Sequence, residues 1–493
     1  MRRRESTIVV GAGPAGLSAA LRLALAGRRV RVLEAAPQVG GLSTSLSFED
    51  KFRFDVGGHR FFTKNPEVEQ WFLSLLKGDV LRVDRKSHIL FRRKRFKYPL
   101  SPVNALLGLG PAGAALSVAS FLAARVRGRL IPEVPENFEQ FMVGRFGRRL
   151  YRSFFEGYTQ KVWGIPCQEL SADWAAQRIR GLSLGAAIRH ALVRLREPPP
   201  TLAQRFLYPR YGFGSLCERA ASRLEESGGI IHLDSPVVDA EIAADRIRSV
   251  LTADGVSHSA DSFVWTGRLT DLAGILHRRG AGRHGSAEEP PAESGGVAGL
   301  SHHAAPRPDW AASGDGGLQW RGLVTVFLAL DISKVSSDHW TYLPDADIPF
   351  GRFHEPKNWS RDLAPVGKTS LVVEYFANPG DAVWNEEDAA LLRKSADTLE
   401  DLRIIPRHRL LGGRVDRWPH AYPIYSVGYR SRVERVYSLA GSIRNLVLAG
   451  RTGMFRYHNA DHAIETGFEA AERLLSGRGD PFRVNLAGDY HEA

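Results

Sequence analysis

A glycine-rich turn between an apolar run and a helical pattern constrains this chain more than any other feature. The segment STIVVGAGPAGLSAALRLALAGRRVRVLEA begins at Ser6 and predicts a strand, a G-x-G-x-x-G turn, a helix and a second strand. Gly11, Gly13 and Gly16 permit a tight turn, close approach of backbone N–H groups to a pyrophosphate, and close packing of the helix on the strand. Glu34 ends the second strand, where a carboxylate can accept ribose hydroxyls. The segment therefore predicts a Rossmann-like unit that binds a dinucleotide.

A second glycine turn follows the second strand directly. EAAPQVGGLSTS places Gly40 and Gly41 where the chain can double back against phosphates, and FDVGGHRFF carries another glycine pair before His59. This pattern resembles the large FAD-dependent family that includes amine oxidases, protoporphyrinogen oxidase and UDP-galactopyranose mutase. The resemblance implies non-covalent FAD, with His59 close to the N5/C4 carbonyl region of the isoalloxazine ring. The cofactor contacts that it implies in this part of the chain are Gly11, Gly13, Ala15, Gly16, Glu34, Gly41, Leu42, Gly58 and His59.

A polar stretch near the C-terminus separates another apolar run from a helical pattern. In LVLAGRTGMFRYHNADHAIETGF the run LVLAG predicts a buried strand, and the helical pattern begins near Asn459. In the resembled family the last strand ends beside the flavin, and the next helix points its N-terminus at the pyrimidine edge. The positive end of a helix dipole suits a reduced, anionic flavin. Arg451, Asn459 and Asp461 are therefore expected at the cofactor, and Asp461 is also expected to cap the helix.

Strand character also returns in the middle of the chain. SGGIIHLDSPVVDAEIAADRIRSVLTADGVSHSADSFVWTG predicts a strand, a hairpin and a buried strand, and resembles a second FAD-binding piece in which the backbone of Val237 contacts adenine. The predicted fold is thus α/β, with a Rossmann-like FAD-binding domain interleaved with a mixed helical and β substrate domain. FAD-binding parts are expected over 1–65, 211–277 and 436–493, substrate-domain parts over 66–210 and 319–435, and a low-complexity insert over 278–318.

The amino-acid composition limits the classes of partner that we expect for this protein. The net charge of +12 favours anionic ligands, although a general arginine bias of the surface explains it equally simply. No basic tract interleaved with aromatic residues appears, so we expect no nucleic-acid partner. The two cysteines, Cys167 and Cys217, form neither a CxxC nor a metal-ligand spacing, so we expect no metal and a cytoplasmic location.

The most apolar stretch lies between residues 104 and 130. Glycines and a proline interrupt NALLGLGPAGAALSVASFLAARVRGR, so a membrane span is not expected. One interpretation is a pair of core helices. The other is an interfacial helix that, with the basic RVRGR, makes peripheral contact with the inner face of the membrane.

Several segments outside the nucleotide motifs resemble UDP-galactopyranose mutases more closely. These are FKYPL, FFEGYTQKVWGIPCQELSADWAAQRI, HWTYLPD, PFGRFHEPKNWS, HAYP and FRYHNADHA. The resemblance implies that Arg178 and Arg352 clamp the substrate diphosphate, because guanidinium groups give fixed, charge-assisted donors to phosphate. It implies catalytic roles for these two arginines and His59. The substrate-binding residues that it implies are Tyr98 near the nucleobase, Trp163 and Trp340 along the sugar and flavin cavity, and Tyr342, Tyr422 and Tyr457 at the phosphates.

Some of these residues have simpler interpretations. Trp163 also fits a core aromatic residue, and Arg178 also fits a surface ion pair on a helix. Lys161, in the same segment, is expected to face solvent rather than to act in catalysis.

Two enzyme classes remain open. The resemblance implies a mutase that interconverts pyranose and furanose forms of a nucleotide-diphosphate sugar through a sugar adduct at N5 of reduced flavin. Such an enzyme is active only when its FAD is reduced, so it requires an external flavin reductant. The alternative is an FAD-dependent oxidase or desaturase of the protoporphyrinogen oxidase or amine oxidase type, with an apolar oxidisable substrate. A catalytically silent FAD-binding protein is a third interpretation.

Overall fold

The computed structural model describes residues 5–98, 109–178, 205–281 and 317–485. The strands in chain order are Ser6–Val10 (β1), Arg29–Leu33 (β2), Ser45–Phe48 (β3), Phe52–Asp55 (β4), Val80–Asp84 (β5), Ser87–Phe91 (β6), Lys94–Lys97 (β7), Arg205–Pro209 (β8), Ile230–His232 (β9), Val237–Ala243 (β10), Arg246–Thr252 (β11), Ser257–Ser259 (β12), Ser262–Trp265 (β13), Gln319–Leu330 (β14), Trp340–Tyr342 (β15), Arg352–His354 (β16), Thr369–Tyr375 (β17), Leu410–Ile424 (β18) and Leu446–Leu448 (β19).

The helices alternate with these strands along much of the chain. In chain order they are Pro14–Leu25 (α1), Pro66–Leu76 (α2), Gly110–Leu130 (α3), Phe138–Phe146 (α4), Arg148–Tyr151 (α5), Gly157–Trp163 (α6), Ala172–Arg178 (α7), Gly214–Glu226 (α8), Leu269–Ala281 (α9), Ala382–Asn385 (α10), Asp388–Asp401 (α11), Tyr429–Gly441 (α12), Gly450–Gly453 (α13) and Ala460–Ser476 (α14).

A parallel sheet forms the nucleotide-binding half of the molecule. Its strand order is β19-β13-β1-β2-β9, so three strands from distant parts of the chain join the N-terminal βαβ unit. Its apolar strands are covered on both faces, by α1, α8 and α14 on one side and by α9 and α12 on the other. Parallel strands that are buried on both faces have short, continuous apolar sequences. For this reason IVV and SFVW show no alternation of apolar and polar residues.

A seven-stranded mixed sheet forms the other half. Its order is β18-β14-β17-β16-β15-β6-β7, and its two longest strands, β18 at one edge and β14 beside it, are antiparallel. One face packs on α11, and the other packs on the β3–β4 hairpin through Phe54 and Phe327, whose rings stack at 4.2 Å. This sheet carries Tyr342, Arg352 and Tyr422 toward the nucleotide-binding half.

A helical layer, α3 to α7, lies beside this sheet. Its core is built from aromatic residues that include Phe138, Tyr151 and Trp163, all nearly fully buried. A π-helical turn, Arg152–Glu156, joins α5 to α6. Among the described residues, no helix combines the length and the apolar character that crossing a bilayer would require. The predicted fold class, an FAD-binding α/β fold with additional helical and β structure, is confirmed.

Candidate active site

A cavity of about 1050 Å³ lies where the two halves meet. The carboxyl ends of parallel strands β1 and β13 open onto it from one side, and residues of β15, β16 and β18 line it from the other. Ligands in open α/β sheets bind at this edge, because strand ends and helix N-termini converge there. Most of the site residues expected from the sequence line this cavity.

The first glycine turn forms one end of the cavity. A Cβ atom on Gly16 would lie 1.9 Å from the Gly11 carbonyl oxygen, and Gly11 itself has φ +101°, which favours glycine. Helix α1 begins at Pro14, and no side chain caps it at Gly13. The N–H groups of its first turn therefore remain available for an anion. Gly11, Gly13 and Ala15 line the cavity, whereas Gly16 lies beneath the turn and closes it against the strand.

Glu34 is held at the rim of this end. One carboxylate oxygen accepts the Ala12 N–H at 2.6 Å, and the other accepts the Ala36 N–H at 2.9 Å. The carboxylate is buried, yet it lines the cavity. Each oxygen retains a lone pair for a ribose hydroxyl, since a carboxylate accepts about four hydrogen bonds. Val237 lines the same end at the start of β10, and its contact with adenine stays a prediction.

The second glycine turn lies against the first. The Gly40 N–H donates to the Ala12 carbonyl at 2.9 Å, and Gly40 adopts φ +112°. Gly41 and Leu42 then line the cavity beside Gly13. The chain thus doubles back where the sequence predicts, and both glycine turns line the same end of the cavity.

The loop Gly57–His59 forms another wall of the cavity. A Cβ atom on Gly58 would lie 2.0 Å from the indole ring of Trp340, so only glycine fits between the loop and this ring. The His59 ring stacks on Phe213 with ring centroids 5.0 Å apart. Burial lowers the pKa of His59, so its imidazole is neutral near pH 7.

The C-terminal segment supplies the opposite wall. Arg451 donates to the carbonyls of His458 at 2.8 Å and Ala421 at 3.2 Å, and its guanidinium lies 4.1 Å from the centroid of Tyr457. Arg451, Tyr457 and Asn459 line the cavity. The N-cap of α14 is Asn459, whose N–H lies 3.3 Å from Nδ1 of His462.

The expected role of Asp461 as a helix cap is therefore wrong, because Asp461 lies one residue inside the helix. Its side chain is buried and is not among the residues that line the cavity. A carboxylate in the first helical turn still interacts favourably with the helix dipole.

Sheet register brings three polar residues into one row. Tyr342 on β15 is directly opposite Arg352 on β16, and Arg352 is directly opposite Glu374 on β17. Nε and Nη2 of Arg352 donate to one oxygen of Glu374 at 2.8 and 2.6 Å, and Nη2 also donates to the Tyr422 hydroxyl at 3.1 Å. Arg352 therefore enters the cavity in an orientation that is set by Glu374 and Tyr422.

The charges in this row stabilise each other. The guanidinium of Arg352, with a smaller effect from His354, lowers the pKa of Glu374 to about 2 in spite of complete burial. The carboxylate in turn raises the pKa of Arg352, against the effect of burial. Nη1 of Arg352 donates to no described residue, which leaves one donor nitrogen for a ligand.

A cluster of tyrosines continues the site away from the glycine turns. The Tyr342 ring is 4.7 Å from that of Tyr98 and 6.0 Å from that of Tyr158. Tyr342 lines the cavity, whereas Tyr98 lies behind it, with the Arg85 guanidinium 4.9 Å above its ring. Tyr98 is thus brought to the edge of the site but not to the cavity wall.

Trp163 does not line the cavity. It is 1% exposed and packs edge-on against Tyr422 and Tyr457, with ring centroids 6.3 and 6.1 Å away. Its expected place along the cavity is therefore wrong, because the two tyrosines lie between it and the open space. Trp340, by contrast, is both buried and part of the lining.

The expectation that Lys161 faces solvent is also wrong. Its ammonium donates to the carbonyls of Leu343, Asp345 and Ile348 at 2.9, 2.6 and 2.9 Å. Burial lowers its pKa to about 8. These bonds tie α6 to the loop between Tyr342 and Arg352, so Lys161 supports the site from behind.

Arg178 is the last residue of α7, and its side chain lies outside the described residues. Three residues close to the site were not expected from the sequence: Glu374, Tyr158 and Arg60, whose guanidinium lies 4.4 Å above the Trp340 ring. Glu374 did leave a signal, since an acid inside the strand TSLVVEY needs a buried partner.

The polar groups around the cavity fit a dinucleotide ligand. Two glycine turns, a helix N-terminus and the buried carboxylate of Glu34 lie at one end, and a neutral histidine and arginine-bearing walls lie farther along. These features define a dinucleotide-binding α/β protein. The profile of the flavin containing amine oxidoreductases matches residues 14–475. The chain therefore belongs to this family, and its cofactor is FAD.

Sequence relatives include a mutase and a desaturase. Over 171 residues the chain is 26% identical to a probable UDP-galactopyranose mutase of Klebsiella pneumoniae, covering 34% of this chain and 44% of the relative. Over 286 residues it is 24% identical to the 15-cis-phytoene desaturase of Solanum lycopersicum, covering 52% of this chain and 45% of the relative. The chain thus spans less than half the length of these relatives.

Solved structures match over nearly the whole chain. A reduced UDP-galactopyranose mutase superposes with a TM-score of 0.77 at 19% identity, covering 99% of this chain and all of that structure. A putative protoporphyrinogen oxidase from Exiguobacterium sp. 255-15 superposes with a TM-score of 0.67 at 17% identity, covering 95% of this chain and 99% of that structure. At these identities the likeness establishes the fold alone.

Proposed function

We propose that this protein is a flavin-dependent mutase that interconverts the pyranose and furanose forms of a nucleotide-diphosphate sugar. The observation that carries the proposal is the position of Arg352. Its guanidinium lines the same cavity as Gly57–His59, and it lies beside the hydroxyl of Tyr422. A diphosphate on these donors would hold its sugar toward the flavin side of the cavity.

The proposed substrate contacts follow from donor geometry. Nη1 of Arg352 would bind a phosphate oxygen, and the hydroxyls of Tyr342, Tyr422 and Tyr457 would add neutral hydrogen bonds. The sequence resemblance, rather than the described geometry, assigns the second guanidinium to Arg178. Donors fixed before the substrate binds stabilise the charge that grows on a departing diphosphate, because they need little reorganisation. Glu374 contributes by holding Arg352 in place.

The chemistry of the cofactor fits this arrangement. Reduced FAD would supply an electron-rich nitrogen at N5, and an external reductant would have to provide its electrons. His59 would meet the flavin as a neutral hydrogen-bonding group. Trp340, Trp418 and Tyr422 would exclude water from the anomeric carbon while the bond to the diphosphate is broken.

An FAD-dependent oxidase or desaturase is the second candidate. It is favoured by the aromatic walls, since Trp340 and Trp418 both line the cavity and would accept an apolar substrate. Against it stands the row of Tyr342, Arg352 and Glu374, since a fixed guanidinium in the wall gains little from an uncharged ligand.

Redox stoichiometry separates the two candidates. Dithionite-reduced protein, kept anaerobic, is mixed with nucleotide sugars that include UDP-galactopyranose, and the products are separated by ion-pair chromatography and mass spectrometry. A mutase yields an isomer of unchanged mass, and the same preparation in its oxidised form is inactive. Stoichiometric hydrogen peroxide, together with a product that lacks two hydrogens, would assign the protein to the oxidases.

A further inference from the structure

Helix α3, Gly110–Leu130, exposes a continuous apolar stripe. Leu116, Leu122, Val126 and Leu130 are 54, 56, 56 and 76% exposed, and Ala119 and Ala123 between them are also exposed. At 3.6 residues per turn these positions fall within about 120° of the helix circumference. Scattered exposed leucines are ordinary, but a stripe that follows one helix face over several turns indicates a surface that another apolar phase covers.

The opposite face of α3 is firmly packed, so the orientation of the stripe is fixed. Ser117 and Phe121 are buried against α4 and α5. A Cβ atom on Gly147, which joins those two helices, would lie 2.6 Å from the backbone nitrogen of Phe121. Such close backbone contact leaves no room for α3 to rotate and bury its leucines.

Positive charge flanks the stripe. Arg127 lies on one side and Arg125 and Arg129 on the other, all exposed, and α3 contains no acidic residue. The apolar surface continues past the helix at Ile131 and Val134, which are 53 and 89% exposed. An arginine in this position can lay its methylene groups along an apolar surface while its guanidinium reaches a phosphate.

We propose that the outer face of α3 docks onto an anionic lipid bilayer, with the helix lying along the surface. The leucines and valine enter the interface, and the arginines pair with lipid phosphates, as in amphipathic helices at membranes. A second copy of the chain is a poorer partner, because α3 offers no carboxylate to another copy's arginines. The aromatic core behind α3 also contacts Tyr422 and Tyr457, so docking would place the lipid surface one helical layer from the cavity.

Vesicle co-sedimentation of the FAD-loaded protein tests the docking. The probes are vesicles of phosphatidylcholine alone and vesicles that also contain phosphatidylglycerol. We expect partition into the anionic vesicles, weakened by salt. Leu122→Gln with Val126→Gln should reduce it at least tenfold, and each of Arg125→Gln, Arg127→Gln and Arg129→Gln should reduce it roughly fivefold. The matched control, Leu25→Gln with Val366→Gln, changes two apolar residues elsewhere that are even more exposed, and should leave partition unchanged.

A fluorescent label tests which face enters the lipid. Both native cysteines are buried, so Val126→Cys gives one reactive thiol, and Val366→Cys gives a control. An environment-sensitive dye on residue 126 should shift to the blue with anionic vesicles, and a dye on residue 366 should not. Equal partition of wild type and the Leu122→Gln, Val126→Gln variant, or no partition, overturns the proposal. So does a dimer in light scattering that this variant dissociates, since the face would then join two copies.

Discussion

Arg352 and Glu374 face each other across adjacent antiparallel strands, and two guanidinium nitrogens bind one oxygen of the fully buried carboxylate at 2.8 and 2.6 Å. The arginine that lines the cavity is therefore anchored from the interior of the sheet. Its net charge is largely balanced before any ligand arrives. Orientation, rather than excess positive charge, is what this pair contributes to the cavity.

Replacing Glu374 should destabilise the protein in a pH-dependent way. Glu374→Gln leaves Arg352 without its buried counter-ion and should lower the free energy of unfolding by ~3 kcal/mol near pH 7. The pKa of Glu374 is lowered from 4.5 to about 2, so its contribution is present above pH 4.5 and is lost as the pH falls toward 2. The stability difference between wild type and Glu374→Gln should therefore shrink over that interval.

Denaturant unfolding with saturating FAD at several pH values measures this difference. Glu225→Gln, at an exposed carboxylate on α8, is the control and should change stability by less than ~0.5 kcal/mol. A difference that stays constant down to pH 3 would contradict the lowered pKa.

The two arginines should bind one diphosphate. Alanine at Arg178 or Arg352 should weaken UDP binding by ~2–5 kcal/mol, and the double variant should lose less than the sum, because both donors serve the same ligand. Isothermal calorimetry on the FAD-loaded protein measures the affinity. Arg352→Ala is also measured in the Glu374→Gln background. This comparison separates the loss of the Arg352 donor from the effect of leaving the Glu374 carboxylate buried without its partner.

Exposed Arg248→Ala should leave UDP affinity unchanged. FAD content should be the same in all of these variants. If neither Arg178→Ala nor Arg352→Ala alters UDP binding, the site is not built for a nucleotide diphosphate, and the oxidase candidate gains.

A methyl group at Gly58 should disturb the cavity wall beside Trp340. Gly58→Ala places its Cβ atom 2.0 Å from the Trp340 ring, so the loop or the indole must move, at a cost of ~1–3 kcal/mol. We expect weaker FAD retention and an altered flavin absorption spectrum. Gly441→Ala, where nothing lies within 4 Å, is the matched control. A Gly58→Ala protein with a wild-type spectrum and wild-type FAD retention would show that this loop does not contact the flavin.

Removing the ammonium of Lys161 should loosen the loop that precedes Arg352. Lys161→Met leaves the carbonyls of Leu343, Asp345 and Ile348 without their donor, at a cost of ~1–3 kcal/mol. Amide hydrogen exchange of peptides covering 343–351 should accelerate, and exposed Lys334→Met should not change it. KM should rise more than kcat falls, because Lys161 positions binding groups without touching the substrate. Unchanged exchange in Lys161→Met would remove its positioning role.

The nucleotide-binding half was predictable because its signals are local. The turn between β1 and α1, the acid at the end of β2 and the second turn at Gly40–Gly41 lie within one stretch of sequence. The glycines there are required because residues nearby in the chain, or on the neighbouring strand, approach their backbone closely. Such constraints can be recognised in a sequence, because the backbone geometry of these turns varies little between proteins.

The sequence alone determined the flavin-binding class and the two glycine turns that line the cavity. Only the tertiary structure decided that Arg352 meets Glu374, that Lys161 supports the loop before it, and that Tyr422 and Tyr457 stand between Trp163 and the cavity. These relations depend on strand register and helix packing between distant segments. A shift of the strand register by one residue would turn each side chain of the strand to the other face of the sheet. No local sequence pattern specifies which register forms.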